Sequence, residues 1–195
     1  MGQSPTLEKF EMSPTFARLH QRRHTFYRMI KHLEEAPAGY IIETGTAWDS
    51  DNWEGQGQST LIWEWACEEI VKHRVISIDI RPEGRDSLSP KVKFTDFKIG
   101  DSVKTLSTMS EGTLAQCRLL YLDSFDWTPE ANLDSAFHHL CELALVWSYL
   151  PKGCMIVVDD RHGNFQGKHF MVEKFMDKLG IESVFSDYQI GWIKP

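Results

Sequence analysis

Four short apolar runs in this chain each lead into an acid. They are Tyr40–Glu43 (YIIE), Val75–Asp79 (VISID), Cys117–Asp123 (CRLLYLD) and Cys154–Val158, which runs into Asp159-Asp160. Runs of this length, bounded by turn signals, read as buried strands. Cys117–Asp123 is continuously apolar rather than alternating, as in a sheet covered on both faces. Helical stretches lie between the runs, and alternation of strand and helix predicts a mostly parallel α/β sheet. Such sheets bind ligands beyond the carboxyl ends of their strands. Glu43, Asp79, Asp123, Asp159 and Asp160 therefore mark one edge as the candidate site.

The stretch Tyr40–Thr60 has the parts of a ligand cradle. Its strand ends at Glu43 and is followed by Thr44, Gly45 and Thr46. A polar loop then passes Gly55 and Gly57 to Ser59 and Thr60, which can cap a helix from Leu61 to about Lys72. Glycines permit close backbone approach, and a helix start offers unpaired N–H groups. Glu43 would repel a phosphate and attract an ammonium or sulfonium. An ordinary strand-to-helix loop is the plainer alternative.

Elsewhere, residues 1–12 read as polar and loosely held. Ser13-Pro14 starts a helix that runs to about Glu35, with Arg22, Arg23, Arg28 and Lys31 on a solvated basic face. Val92–Phe97 contains the third strand. Gly100-Asp101-Ser102 leads into a short helical segment ending near Leu106. A long helix covers Pro129–Tyr149, where His138 and His139 read as packing or surface groups. Arg161–Gly167 is a loop, and Lys168–Leu179 a helix. Glu182–Tyr188 and Gln189–Lys194 are too close for a helical crossover and must pair antiparallel. Residues 1–36 then form a tail and helix packed on a single α/β domain over 37–195.

Composition narrows the function. The net charge of −7 argues against a broad nucleic-acid surface. No apolar run reaches the length of a membrane span, and Met1–Met12 lacks the apolar core of a signal peptide. Four scattered cysteines suit a reducing cytoplasm.

Asp79 ends the second strand, where an acid commonly accepts ribose hydroxyls. Asp123, Asp159 and Asp160 come from the fourth and fifth strands. Neighbouring carboxylates repel unless a cation lies between them, and three of them suit Mg²⁺ or another hard divalent ion. The alternative is that Asp159-Asp160 caps the next loop and Asp123 serves a turn.

With these parts in order, the chain from Tyr40 to Lys194 resembles the class I S-adenosylmethionine-dependent methyltransferases. It is most similar to small metal-dependent O-methyltransferases of the catechol and macrocin types. Glu43-Thr44-Gly45 matches the acid-x-Gly motif, Asp79 the ribose acid, and Gly100-Asp101-Ser102 the adenine-side turn. Asp123 and Asp159-Asp160 match the metal residues. The resemblance implies a Rossmann-like sandwich with a mostly parallel seven-stranded sheet and an antiparallel last strand. It implies S-adenosylmethionine held by residues among Glu43, Thr44, Gly45, Thr46, Gly57, Ser59, Thr60, Asp79, Gly100, Asp101, Ser102 and Asp123. It also implies Mg²⁺ on Asp123, Asp159 and Asp160, and O-methylation of a small-molecule or sugar hydroxyl. Two departures stand out. Ala47–Glu54 lengthens the first loop, and the lysine that catechol methylation uses as base is Asp126 here. Asp126 or His162 is then the candidate base. A second subunit could complete the acceptor pocket. The rival readings are a nicotinamide-dependent oxidoreductase and a catalytically silent binding module. The former wants a compact G-x-G-x-x-G, whereas Gly45 and Gly55 lie ten positions apart.

Overall fold

The computed structural model describes residues 4–49, 52–53, 58–162 and 166–195, with His162 and Gln166 by backbone alone. Its sheet strands are β1 (Gly39–Thr44), β2 (His73–Asp79), β3 (Thr95–Ile99), β4 (Cys117–Leu122) and β5 (Met155–Val158). Two-residue strands β6 (Arg161–His162) and β7 (Gln166–Gly167) form a separate hairpin; β8 (Phe185–Ser186) and β9 (Ile190–Ile193) close the main sheet. The seven strands lie in the order β3-β2-β1-β4-β5-β9-β8. β3 to β5 are parallel, and β9 runs antiparallel to both β5 and β8. The strand order reverses between β1 and β4, which opens a crevice there.

The helices are α1 (Pro5–Met12), α2 (Pro14–Arg18), α3 (Arg23–Glu35), α4 (Ser59–Ile70), α5 (Glu83–Leu88), α6 (Ser102–Ser107), α7 (Glu111–Leu114), α8 (Asn132–Val146) and α9 (Phe170–Lys178). They cover both faces of the sheet. One apolar layer joins Phe26, Ile30, Trp63, Val75, Leu119 and Val157. The other joins Ile42, Ile78, Leu120, Leu143, Ile156 and Val172. Every β4 residue from Leu119 to Leu122 is buried, as its unbroken apolar sequence requires.

The N-terminal region departs from expectation. Residues 5–12 are helical, because Ser4-Pro5 repeats the cap signal of Ser13-Pro14. The Ser4 hydroxyl accepts the Thr6 N–H at 3.2 Å, and Leu7 and Phe10 are buried. The helix expected from Pro14 to Glu35 is broken. His20 takes φ 47°, and a 3-10 turn over His20–Arg22 separates α2 from α3. This break turns Arg22 inward. Its side chain is only 12% exposed, so it is not part of a solvated basic face. Among the described residues no helix is long and apolar enough to cross a membrane.

Candidate active site

The turn after β1 is built around Gly45. Its φ is +88°, and a Cβ there would lie 2.3 Å from the Asp123 carbonyl oxygen. Only glycine lets β1 and β4 meet this closely. The Gly45 N–H donates to Ile78 O at 2.8 Å. Asp79, at the end of β2, fastens the next residue: its carboxylate accepts the Thr46 N–H and the Arg81 N–H, each at 2.8 Å. Thr46 Oγ1 lies 2.7 Å from Ser77 Oγ.

Glu43 has a different place from the one expected. It is completely buried and lies beneath the turn rather than in the crevice. Its carboxylate accepts hydrogen bonds from Ser59, from Thr60 Oγ1 at 2.6 Å, from Ser77 Oγ at 2.7 Å and from Trp63 Nε1 at 3.1 Å. Burial raises its pKa to about 7, against the pull of those four donors. Glu43 thus ties the start of α4 and strand β2 to β1. It shapes the cradle from below, and a direct attraction to a sulfonium is not its arrangement. Thr44 is buried too, with its hydroxyl 3.3 Å from Glu142 Oε2.

Two adjoining cavities open at the carboxyl edge. The larger, about 690 Å³, passes over Gly45, Thr46, Ser59, Asp123 and Asp160. The smaller, about 390 Å³, is lined by Ile80, Asp101, Ser102, Phe125 and His138. Gly45, Asp79 and Asp126 line both. Asp101 caps α6 by accepting the Lys104 N–H at 2.8 Å. Gly100 donates its N–H to Asp79 O at 2.8 Å and so fixes this turn against β2. Gly57 lies outside the described residues.

The smaller cavity has a polar wall of which the sequence reading assigned Ser102 to the site but not His138, Glu142 or Ser124. His138 Nε2 lies 2.9 Å from Ser102 Oγ and 3.4 Å from Glu142 Oε1. Glu142 also accepts from Ser124 Oγ at 2.7 Å. Its hydrogen bond to Glu142 raises the His138 pKa, against a smaller loss from burial. For Glu142, burial works upward, but the donors around it prevail and its pKa is lowered. The spacing of four along α8 was the available signal. His139, by contrast, is buried packing: its pKa falls to about 4, first through burial.

The three acids expected to hold a metal do converge, but with protein donors among them. Lys168 Nζ pairs with Asp123 Oδ1 and lies 2.9 Å from Asp160 Oδ2. Tyr121 and Tyr188 donate their hydroxyls to Asp159 Oδ2 and Asp160 Oδ1. Asp159 Oδ1 accepts the Asp160 N–H at 2.8 Å, and Arg22 stands 3.7 Å from Asp159 Oδ2. Five of the six carboxylate oxygens therefore already face a donor. Burial works to discharge Lys168, but Asp123 and Asp160 outweigh it, and its pKa lies above the ordinary lysine value. Among the described residues no three His, Cys, Asp or Glu side chains are disposed to hold a metal ion. The site as arranged does not fit the Mg²⁺ expected on Asp123, Asp159 and Asp160. A lysine takes part of the place assigned to it.

Asp126 sits at the mouth, 77% exposed, with Arg81 at 3.9 Å. His162 lies in β6, paired with Gln166, and its side chain is outside the description. Arg81 in turn covers the ring of Trp48 at 4.2 Å.

No family model and no curated protein sequence matches this chain. Solved structures do. The MycE methyltransferase of the mycinamycin biosynthetic pathway, in complex with Mg, S-adenosylhomocysteine and mycinamycin VI, matches over 98% of this chain, with TM-score 0.64 and 13% identity. The chain spans 55% of that structure's length. A structure described as a putative caffeoyl-CoA O-methyltransferase from Staphylococcus aureus matches over 97% of this chain and 96% of its own, with TM-score 0.61 and 12% identity. The O-methyltransferase NovP matches over 96% of this chain and 78% of its own, with TM-score 0.53 and 12% identity. The fold is that of a class I methyltransferase. Within the methyltransferase fold, Gly45 after β1 and Asp123 after β4 flank the crevice where the strand order reverses, and Asp79, Asp159 and Asp160 line the same cavity.

Proposed function

We propose that this chain transfers the methyl group of S-adenosylmethionine to a hydroxyl of a small molecule, with a sugar hydroxyl as the favoured acceptor. The observation that carries this is the double cavity, pinned at its centre by Gly45 and Asp79. The smaller cavity suits an adenine: Phe125 and Ile80 offer apolar faces, and Ser102 and His138 offer polar edges. Asp79 suits the ribose hydroxyls. The larger cavity leaves room for the methionine part and an acceptor side by side. Trp48, Trp53 and Trp127 line it and can pack against a ring. The resemblance to macrocin-type sugar O-methyltransferases favours a sugar, and the MycE structure carries S-adenosylhomocysteine and mycinamycin VI on this fold.

The reaction is an in-line displacement. The acceptor oxygen forms a bond to the methyl carbon as the sulfur–carbon bond breaks, and the neutral thioether S-adenosylhomocysteine leaves. The protein's main contribution is alignment. The hydroxyl proton needs a base, and we assign that role to Asp126, which lines both cavities and is open to water. Magnesium, present in the MycE structure, is not carried over, because Lys168 already pairs Asp123 with Asp160.

The test is methyl transfer from labelled S-adenosylmethionine to a panel of glycosides and catechols. Asp126→Asn should lower turnover about 100-fold, a typical loss for a general base. Its affinity for S-adenosylhomocysteine should not change. Full turnover in that variant would assign the proton elsewhere.

A further inference from the structure

We infer that Lys168 is the resident counter-cation of the acid cluster, so that the cleft works without a divalent ion. The inference rests on the methyltransferase reading for what the cleft does, but not for how the cluster is built. Lys168 sits just ahead of α9 and is 2% exposed. Its position is fixed from the preceding residue, since the Gly167 N–H donates to Asn132 Oδ1 at 3.0 Å. An ammonium has three donor hydrogens. Three acceptors surround this one: Asp123 Oδ1, the Asp123 carbonyl at 3.4 Å and Asp160 Oδ2 at 2.9 Å. Lys168 therefore bridges the ends of β4 and β5, as a metal ion shared by those strands would.

Two further features close the site to a second cation. Arg22 stands 3.7 Å from Asp159, so three carboxylates face two fixed positive charges and carry at most one net negative charge. A Mg²⁺ ion takes near-octahedral oxygen ligands at roughly 2.1 Å. Bound to Asp123 and Asp160 it would lie close to the ammonium, with strong repulsion in a buried setting. Releasing Lys168 would require breaking its contacts to the ends of both strands. The Tyr121 and Tyr188 hydroxyls use two more of the oxygens a metal would need.

The experiment titrates Mn²⁺, as a spectroscopic probe of the Mg²⁺ site, into wild type, Lys168→Met and the double variant Lys168→Met/Asp160→Asn. Free Mn²⁺ is read by electron paramagnetic resonance, and thermal midpoints are recorded with Mn²⁺ and with chelator. S-adenosylhomocysteine binding to wild type is measured in chelator alongside. Wild type should show no saturable Mn²⁺ binding below about 1 mM and no midpoint shift. Lys168→Met should bind Mn²⁺ at least tenfold more tightly, and its midpoint should rise with Mn²⁺. Asp160→Asn in that background should abolish both effects. Tight Mn²⁺ binding by wild type would overturn the inference, as would a folded Lys168→Met with no gain in Mn²⁺ affinity. If Lys168→Met does not fold, the wild-type titration decides alone. Failure of the methyltransferase reading appears separately, as wild type that binds no S-adenosylhomocysteine.

Discussion

The Asp79 carboxylate accepts the Thr46 backbone N–H at 2.8 Å, so the acid that ends β2 holds the turn that follows β1. One side chain thus shapes the cradle and faces both cavities. Asp79→Ala should weaken S-adenosylhomocysteine binding at least tenfold. The lost hydrogen bonds should cost about 1–2 kcal/mol of stability, which leaves the protein folded. Calorimetry and urea unfolding on the same variant separate the two effects. Unchanged affinity would remove Asp79 from the cofactor site.

Gly45 admits no side chain. Alanine would have to adopt φ near +88° and place its Cβ against the Asp123 carbonyl. Gly45→Ala should lose about 1–3 kcal/mol of stability and most of its cofactor affinity. A chemical-denaturation curve and a cofactor titration check both. Wild-type affinity in a folded Gly45→Ala would mean that the turn does not shape the cofactor site.

Glu43 should leave a mark on the pH dependence of stability. Its folded pKa is about 7, raised by burial from the ordinary 4.5. Between those values the folded state keeps a proton that the unfolded state has lost, so this group's contribution falls as pH rises. The loss should be roughly 3 kcal/mol by pH 7.5. His139 titrates with the opposite sign: its folded pKa of about 4 favours folding as pH rises toward 6.5. The informative quantity is therefore the difference between wild type and Glu43→Gln. Urea unfolding from pH 4.5 to 7.5 should show wild type losing ground to the variant as pH rises. Parallel curves would show that Glu43 ionises as freely in the folded state as in the unfolded one.

The strands and their acid ends were legible because each signal is local. Val75–Asp79 and Cys117–Asp123 carry their burial and their terminating acid within seven residues. The close spacing of β8 and β9 gave the antiparallel pairing in the same way. Ser4-Pro5 was equally local, and its helix went unread only because the segment looked polar. The acid cluster was another matter. Its partners come from far along the chain: Arg22 through a break at His20, and Lys168 from beyond the β6–β7 hairpin. Periodicity cannot say which lysine meets which carboxylate across folded distance. Glu43 illustrates a second limit. An acid at a strand end can point into the crevice or beneath it, and only the position of Ser59, Thr60, Ser77 and Trp63 around it decides.

The most direct measurement is titration calorimetry of the wild-type protein with S-adenosylhomocysteine in chelator. A class I methyltransferase site centred on Gly45 and Asp79 predicts saturable binding of one ligand per chain. The thermal midpoint should rise with ligand concentration, as mass action requires. A folded protein that gives no binding heat and no midpoint shift at millimolar S-adenosylhomocysteine, or that responds to a nicotinamide dinucleotide instead, would contradict the assignment.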